Sequence, residues 1–585
     1  MAVAPMHRKY ERGLVWALGV IPVILMLLLG GGMLDVPMND EFSYARLADA
    51  FGKTGRIQLN GWGTPLMLPQ MVIGAAIIKV FGFKYGILHW VGIVSTGIAS
   101  GFLYRFLRAS GAGVFTAVAL WAAVMGTPMI LAAGPSFLTD VPTMALCLIA
   151  WTFFSEALRS TDDATTQRTK IIVGSVVALL AALNRQNVIL PFGVAMLIIS
   201  GFRPVWRSIL IPAALVIIAA GLMAVSLIGK LPYAVPVQPI AGLLTFIGWP
   251  DITIKFMVKF GITSGLLVLP AVLLGFQLRK PSWPAAGLVL AWLLVFIIVP
   301  MSARHIEMFA PIYRLTVYGQ YWTTMGVVVG GVHGFGDRSA VPNLGYLWTA
   351  LGVLGNVGSL ALLANQFRGL GTQLKASKPV EASTILPLVL ITFVVVQCVS
   401  LVPWLALNNM FDRYLLLVVP FVMAAHIAPV VDAPRFQPLR WGAVAIAVCN
   451  VVWGLISTHD YFAYSRARMN LYNEAIALGI ARENLDAGVE YNADFQIQTE
   501  GKINNRQMEP MDAYDDTRKG INVDYEPEKF PAVLASYRIS SSTFTTWMDE
   551  TLNDKAGKPV ERDYFMIIDG KRKMVVGHVA PSETP

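Results

Sequence analysis

Long apolar blocks alternate with short polar connections from the N-terminus to about Ser457, after which the chain turns polar. Most blocks approach the roughly 20 residues that a helix needs to cross a ~30 Å hydrocarbon layer. They read as Gly13–Leu34, Tyr85–Tyr104, Gly113–Met129, Phe137–Leu158, Ile171–Leu183, Val188–Ser200, Ile209–Ile228, Phe256–Leu278, Ala285–Pro300, Leu344–Ala364, Thr384–Leu405, Tyr414–Val430 and Trp441–Ser457, thirteen in all. The first is longer than a signal-peptide core and has no clear small-x-small cleavage site, so it is expected to stay as a helix. The pattern predicts an all-α polytopic membrane body over 1–457, with juxtamembrane helices in a long connection at 35–84. Over 458–585 a helical stretch from Tyr461 to Ala481 and alternating segments at Phe565–Ile568 and Met574–Val579 predict a small α/β domain outside the membrane. No internal repeat is evident.

Composition agrees with lipid as the main solvent. Of 585 residues 55% are hydrophobic and 14% charged, which excludes soluble multidomain, disordered and collagen-like classes. The three cysteines, Cys147, Cys398 and Cys449, all lie in apolar blocks, so neither a disulfide framework nor a Cys-based zinc site is available. The net charge of +9 divides unevenly: residues 1–457 carry 30 Lys and Arg against 15 Asp and Glu, and the last 128 carry 15 against 21. Basic residues scattered between apolar blocks are topology signals rather than a nucleic-acid groove. With a cytoplasmic N-terminus, the connections predicted inside hold Arg105/Arg108, Arg159/Arg168/Lys170, Arg203/Arg207, Arg279/Lys280, Arg368/Lys375/Lys378 and Arg435/Arg440, at least two basic residues each. The expectation is an integral protein of a plasma membrane, of the bacterial inner-membrane kind, with its C-terminal domain periplasmic or extracytoplasmic.

Two carboxylates, Asp40 and Glu41, stand just beyond the first block at the start of an amphipathic stretch, and Asp140 stands at the same-side mouth of the fourth. Each acid has an ordinary reading, since helix N-termini favour Asp and Asn as caps and acids in the first turn. The alternative is that two acids at neighbouring mouths orient an acceptor and take its proton.

The block Asp40, Glu41, Tyr44, Ala45, followed by Gly55, Asn60, Gly61 and Pro65, resembles the first outer loop of GT-C glycosyltransferases, most of all aminoarabinose–lipid A transferases and protein O-mannosyltransferases. Ser136–Pro142 resembles their second acidic motif, and thirteen spans followed by an outer domain resembles the bacterial layout. The resemblance implies a GT-C-like fold that moves a sugar from a polyprenyl phosphate to a lipid, glycan or protein acceptor on the outer face, generally with inversion. It places Asp40, with Glu41 beside it, and Asp140 as catalytic or orienting acids, and Tyr44 near the substrate. One departure is that the lipid A transferases carry a Lys just before the loop proline, whereas this chain has Gly63, Thr64 and Pro65.

Phosphate contacts must then come from elsewhere. Arg185 and Gln186 lie between two short apolar blocks, and similar Arg-Gln pairs recur in lipid-phosphate-dependent transferases of this superfamily. A guanidinium fork suits phosphate, although an interfacial Arg can also simply snorkel. Arg413 and Tyr414, at the entry to the twelfth block, resemble an Asp-Arg-Tyr motif of the same superfamily; a structural Asp412–Arg413 pair is the competing reading. Arg304 and His305 are weaker phosphate candidates, and one His with Glu307 is no metal site by ligand count. No nucleotide motif is present, and no cofactor is expected. The rival readings are a polysaccharide polymerase or ligase using a lipid-pyrophosphate-linked glycan, a polytopic lipid or solute transporter, and a non-catalytic polysaccharide-binding scaffold. The early acidic loop speaks against the first, and charges gathered at one face without repeated halves speak against the second.

Overall fold

The computed structural model describes residues 5–30, 34–63, 65–160, 162–235, 250–276, 344–375, 380–406, 412–427, 437–504, 530–534, 536–541, 548–553 and 556–579, with isolated positions between 284 and 291. Helices dominate because an apolar chain in lipid must satisfy its own backbone. They are α1 (Pro5–Leu28), α2 (Glu41–Thr54), α3 (Leu68–Phe81), α4 (Tyr85–Ala109), α5 (Val114–Met125), α6 (Pro128–Leu131), α7 (Asp140–Arg159), α8 (Ala164–Asn184), α9 (Ile189–Phe202), α10 (Arg207–Ile228), α11 (Pro250–Phe276), α12 (Leu344–Lys375), α13 (Ala382–Ala406), α14 (Val419–Ile427), α15 (Gln437–Ala477) and α16 (Val489–Glu500). Eight of the described helices are long and apolar enough to cross a membrane, and the chain is an integral membrane protein. Twelve of the thirteen apolar blocks fall on these helices; the block at 285–300 lies mostly outside the described residues.

Three departures have physical causes. Block Gly113–Met129 breaks after α5, and block Tyr414–Val430 is a tight turn over Asp412–Leu417 followed by α14. At 1.5 Å per residue, α5 and α14 are about 18 and 14 Å long, short of the ~30 Å core. Irregular backbone at that depth is tolerated where protein surrounds it, and residues 119–121, 123–125 and 127–141 are buried. The last apolar block and the helix expected from Tyr461 are one element: α15 runs unbroken through Ser457 and links the two parts of the chain.

The bundle packs around Trp151, whose ring lies 5.3 Å from Phe393, 5.8 Å from Phe154 and 6.2 Å from Phe192 between centroids. Side chains such as Trp16, Val20 and Ile24 on α1 and Leu215, Leu222 and Met223 on α10 point outward, as lipid-facing residues do. Where α11 crosses α12, a Cβ added at Gly265 would come within 2.0 Å of the Gly352 carbonyl oxygen, so only small residues allow that approach.

The C-terminal domain is a five-stranded sheet with α16 beside it. Its strands are β1 (Leu485–Asp486), β2 (Tyr537–Ser541), β3 (Met548–Thr551), β4 (Glu561–Met566) and β5 (Gly570–Val579). The order is β1-β2-β5-β3, with β4 also on β5; β1 and β2 are parallel and every other pairing is antiparallel. The β4–β5 hairpin is held to α15 by Asp460, whose two carboxylate oxygens accept the Ile567 and Ile568 amides at 2.6 and 3.0 Å. The domain also covers one face of α2. Phe42 joins Ala493, Ile497, Ile503 and Phe530 in one apolar cluster, and Arg46 donates from Nε and Nη2 to Asp494 at 2.6 and 3.0 Å. The opposite face of α2 packs on α3, where the Cβ space at Gly74 is bounded by Ala48.

Candidate active site at the domain end of the bundle

Four charged side chains from distant stretches of sequence meet at the end of the bundle that carries the C-terminal domain. Asp40 precedes α2, Asp140 opens α7, Arg185 follows α8, and Arg413 lies in the turn ahead of α14. Arg413 Nη2 donates to Asp40 Oδ2, and its Nε stands 3.6 Å from Asp140 Oδ2. Arg185 Nη1 sits 2.6 Å from Asp140 Oδ1 and donates to Thr139 Oγ1 at 3.1 Å. The charges therefore alternate along a chain, Asp40, Arg413, Asp140, Arg185. The ring of Tyr414 backs both arginines, with its centroid 4.8 Å from the Arg185 guanidinium carbon and 6.0 Å from that of Arg413. The two middle side chains are 3% exposed and the two end ones, Asp40 and Arg185, 14% and 13%, so the chain is more deeply buried at its centre than at its ends.

Side-chain capping hydrogen bonds do not account for the placement of the two acids. Asp40 occupies the N-cap position of α2 but makes no side-chain cap hydrogen bond, and Thr139, not Asp140, is the N-cap of α7. Arg185 does not snorkel; it is bound to Asp140 and Thr139. The Arg413 guanidinium reaches across to two other elements. Tyr44 follows Asp40 by one helical turn. Burial pushes its phenol up from its ordinary range and the charge of Asp40 adds to this, while Arg413 and Arg185 pull the other way. The net rise keeps the phenol protonated, as an O–H donor beside the acids.

Glu41 turns away from this cluster. It is fully buried, and its Oε1 accepts the Met38 amide at 2.6 Å and lies 2.7 Å from His89 Nε2 on α4. Its Oε2 accepts the Phe137 amide at 2.6 Å. One carboxylate thus ties the loop before Asp40 to the loop before Asp140 and both to α4. The second loop can press against α4 because Gly92 leaves room; a Cβ there would meet the Gly134 and Ser136 carbonyl oxygens at 2.1 and 2.3 Å. Gln186 Oε1 accepts the Leu66 amide at 3.3 Å, fastening the 60s loop. Below it Asn184 donates to Thr143 Oγ1 at 2.9 Å and accepts the Gln70 amide at 3.3 Å, and Gln70 donates to the Phe137 carbonyl at 2.8 Å. Arg304, His305 and Glu307 lie outside the described residues.

His89, Gln70, Thr139, Arg46 and Asp494 complete the surroundings and were not read from sequence. His89 carried a signal, being an ionisable residue inside an otherwise apolar block. Among the described residues no group of three or more His, Cys, Asp or Glu is placed to hold a metal ion.

The fold and this cluster define a polytopic membrane protein with a chain of four charged side chains at the end of its helical body that carries the C-terminal domain. No family model matches the chain, and no curated protein matches it. Two solved structures are similar to it. One is the crystal structure of ArnT from Cupriavidus metallidurans bound to undecaprenyl phosphate, with 14% identity, 97% of this chain and 99% of that chain covered, and a TM-score of 0.34. The other is the same protein in the apo state, with 13% identity, 98% and 99% covered, and a TM-score of 0.35.

Proposed function

We propose that the chain is a glycosyltransferase that moves a sugar from a polyprenyl-phosphate donor to a lipid, glycan or protein acceptor on the outer face of the membrane, with inversion at the anomeric carbon. The observation that carries this reading is the alternating quartet of Asp40, Arg413, Asp140 and Arg185, whose less buried ends are a carboxylate on one side and a guanidinium fork on the other. The motif resemblance of the Asp40 and Asp140 loops supports the same reaction. A donor phosphate takes the guanidiniums of Arg185 and Arg413 as its partners, because a phosphate oxygen competes with a carboxylate for a bidentate fork. Moving Arg413 from Asp40 to phosphate leaves that carboxylate uncompensated and therefore a stronger base. The acceptor oxygen then attacks the anomeric carbon, its proton goes to Asp40, and the carbon–oxygen bond to the phosphate breaks with its electron pair on the phosphate. The two arginines stabilise the charge that develops there, in a site screened from bulk water. Asp140 holds both arginines in register, and the Tyr44 hydroxyl donates to the acceptor side.

Purified protein in lipid nanodiscs, given radiolabelled polyprenyl-phosphate sugars and a lipid extract, should release label from the donor into acceptor material. Label moving only from pyrophosphate-linked oligosaccharides would replace this reading with that of a polymerase or ligase, and label crossing the bilayer without transfer would make the chain a transporter.

A further inference from the structure

The helix that carries Asp40 at its start has two differently occupied faces. Asp40 and Tyr44 face the charged cluster, whereas Phe42 and Arg46 are held by the C-terminal domain. At the centre of that second contact is Asp494 on α16, 4% exposed and receiving donors from three directions. Arg46 of α2 gives it two hydrogen bonds, Tyr85 at the start of α4 gives one from its hydroxyl at 2.5 Å, and Arg482 and Gln498 of its own domain give one each at 3.0 and 2.6 Å. Arg46 is further fixed by the Phe83 ring, 4.1 Å from its guanidinium carbon. Beside it Asn60 donates to the Ser43 carbonyl at 3.0 Å, and its own carbonyl accepts the Ile503 amide of the C-terminal domain at 2.8 Å. The domain, the 60s loop, α2 and α4 are thus joined through two buried polar nodes, one turn and two turns from Asp40.

We propose that the C-terminal domain is a brace for the base-bearing helix and that Asp494 is a positioning residue of the transfer reaction, fixing through Arg46 and Tyr85 where Asp40 stands relative to Arg413 and Asp140. Arg46 lies six residues beyond Asp40, about 9 Å along a rigid helix, so a tilt allowed at one end moves the carboxylate at the other. A displacement of about 1 Å in a reacting group costs on the order of 10²-fold in rate. Asp494 touches neither donor nor acceptor in this scheme, and its loss acts on the chemical step. The role in transfer rests on the function proposed above, whereas the brace itself does not.

The test uses the full chain with Asp494→Ala, measured three ways. Turnover at saturating donor should fall on the order of 10²-fold with the donor KM within about twofold of wild type. Amide exchange of residues 43–53 should quicken while that of 141–157 stays as in wild type. Asp494→Asn, which keeps an acceptor oxygen for Arg46 and Tyr85, should recover part of the rate. If Asp494→Ala cannot be recovered folded, Arg46→Gln, which removes the fork and leaves Asp494 its other donors, takes its place with the same expectations. A raised acceptor KM at unchanged turnover would make the domain an acceptor-binding module and overturn the proposal, as would unchanged exchange of residues 43–53. If wild type transfers no sugar from any polyprenyl phosphate, the proposed function fails, and the exchange measurement still decides the brace.

Discussion

Glu41→Gln separates a structural staple from a catalytic acid, because the substitution keeps size and removes only charge and one acceptor. In the native site two backbone amides and His89 all donate to the carboxylate. A glutamine whose oxygen stays on Met38 and His89 turns its NH₂ toward the Phe137 amide, donor against donor. One buried N–H then has no acceptor, at about 1–3 kcal/mol, and two charge-assisted bonds become neutral ones, about 1 kcal/mol each. The sum is a destabilisation of roughly 3–5 kcal/mol, large against the whole margin of a folded protein. Flipping the amide sets its NH₂ against the Met38 amide instead; the His89 ring can accept from it in its other tautomer, but one buried N–H is still left without an acceptor. Thermal unfolding of the purified protein, followed by tryptophan fluorescence, should therefore show a clearly lowered midpoint, and transfer should fall in step with the loosened loops at 38–40 and 137–140. An unchanged midpoint together with lost transfer would refute the staple and place Glu41 in the chemistry.

Other outcomes follow from the same geometry. Arg185→Ala should weaken binding of polyprenyl phosphate, read by competition with a labelled donor, and Arg185→Lys should restore it only in part because it lacks the fork; unchanged binding in both removes Arg185 from the phosphate site. Although burial pushes the Asp494 carboxyl up, the hydrogen bond and charge of Arg46 outweigh it and hold the group below its ordinary value. A depressed carboxylate contributes stability above its unfolded pKa and loses it as pH falls through the folded one, so docking of the C-terminal domain should be complete at neutral pH and loosen only below the usual carboxylate range. Limited proteolysis of the domain across that acid range should show the loosening in wild type and much less pH dependence in Asp494→Asn. A reporter active only outside the cytoplasm should work when fused after Pro585; activity of a cytoplasmic reporter there would reverse the orientation.

Charged residues at the mouths of apolar blocks are legible in sequence because lipid makes them expensive wherever they lack a partner. That physical cost is why Asp40, Asp140, Arg185 and Arg413 could be singled out although the outermost two are 373 positions apart. What they bind in the resting state could not be read, since pairing across helices depends on packing rather than on spacing. One helical step between Asp40 and Glu41 already implied different directions, about 100° apart. That Glu41 points into a buried knot of amides depended on Gly92 admitting a second loop, a fact of tertiary approach. Gln186 resembles a phosphate ligand by analogy, and its bond to a loop 120 residues earlier could not be read from spacing. The brace was least visible of all, because Arg46 and Asp494 are 448 residues apart and each, read alone, is an ordinary surface charge on an amphipathic helix. The break after α5 and the continuity of α15 were hidden for a related reason: hydropathy reports where a segment lies, not whether its backbone is continuous.

The central claim is that Asp40 removes the acceptor's proton, and the direct measurement is single-turnover transfer by purified Asp40→Asn protein at saturating polyprenyl-phosphate sugar. Asparagine keeps the size and an acceptor oxygen for Arg413, and the native side chain makes no cap bond to lose. The variant should fold and bind polyprenyl phosphate as wild type does, yet transfer sugar on the order of 10²–10⁴-fold more slowly. Transfer at a near-normal rate would contradict the account and leave the reaction without its base.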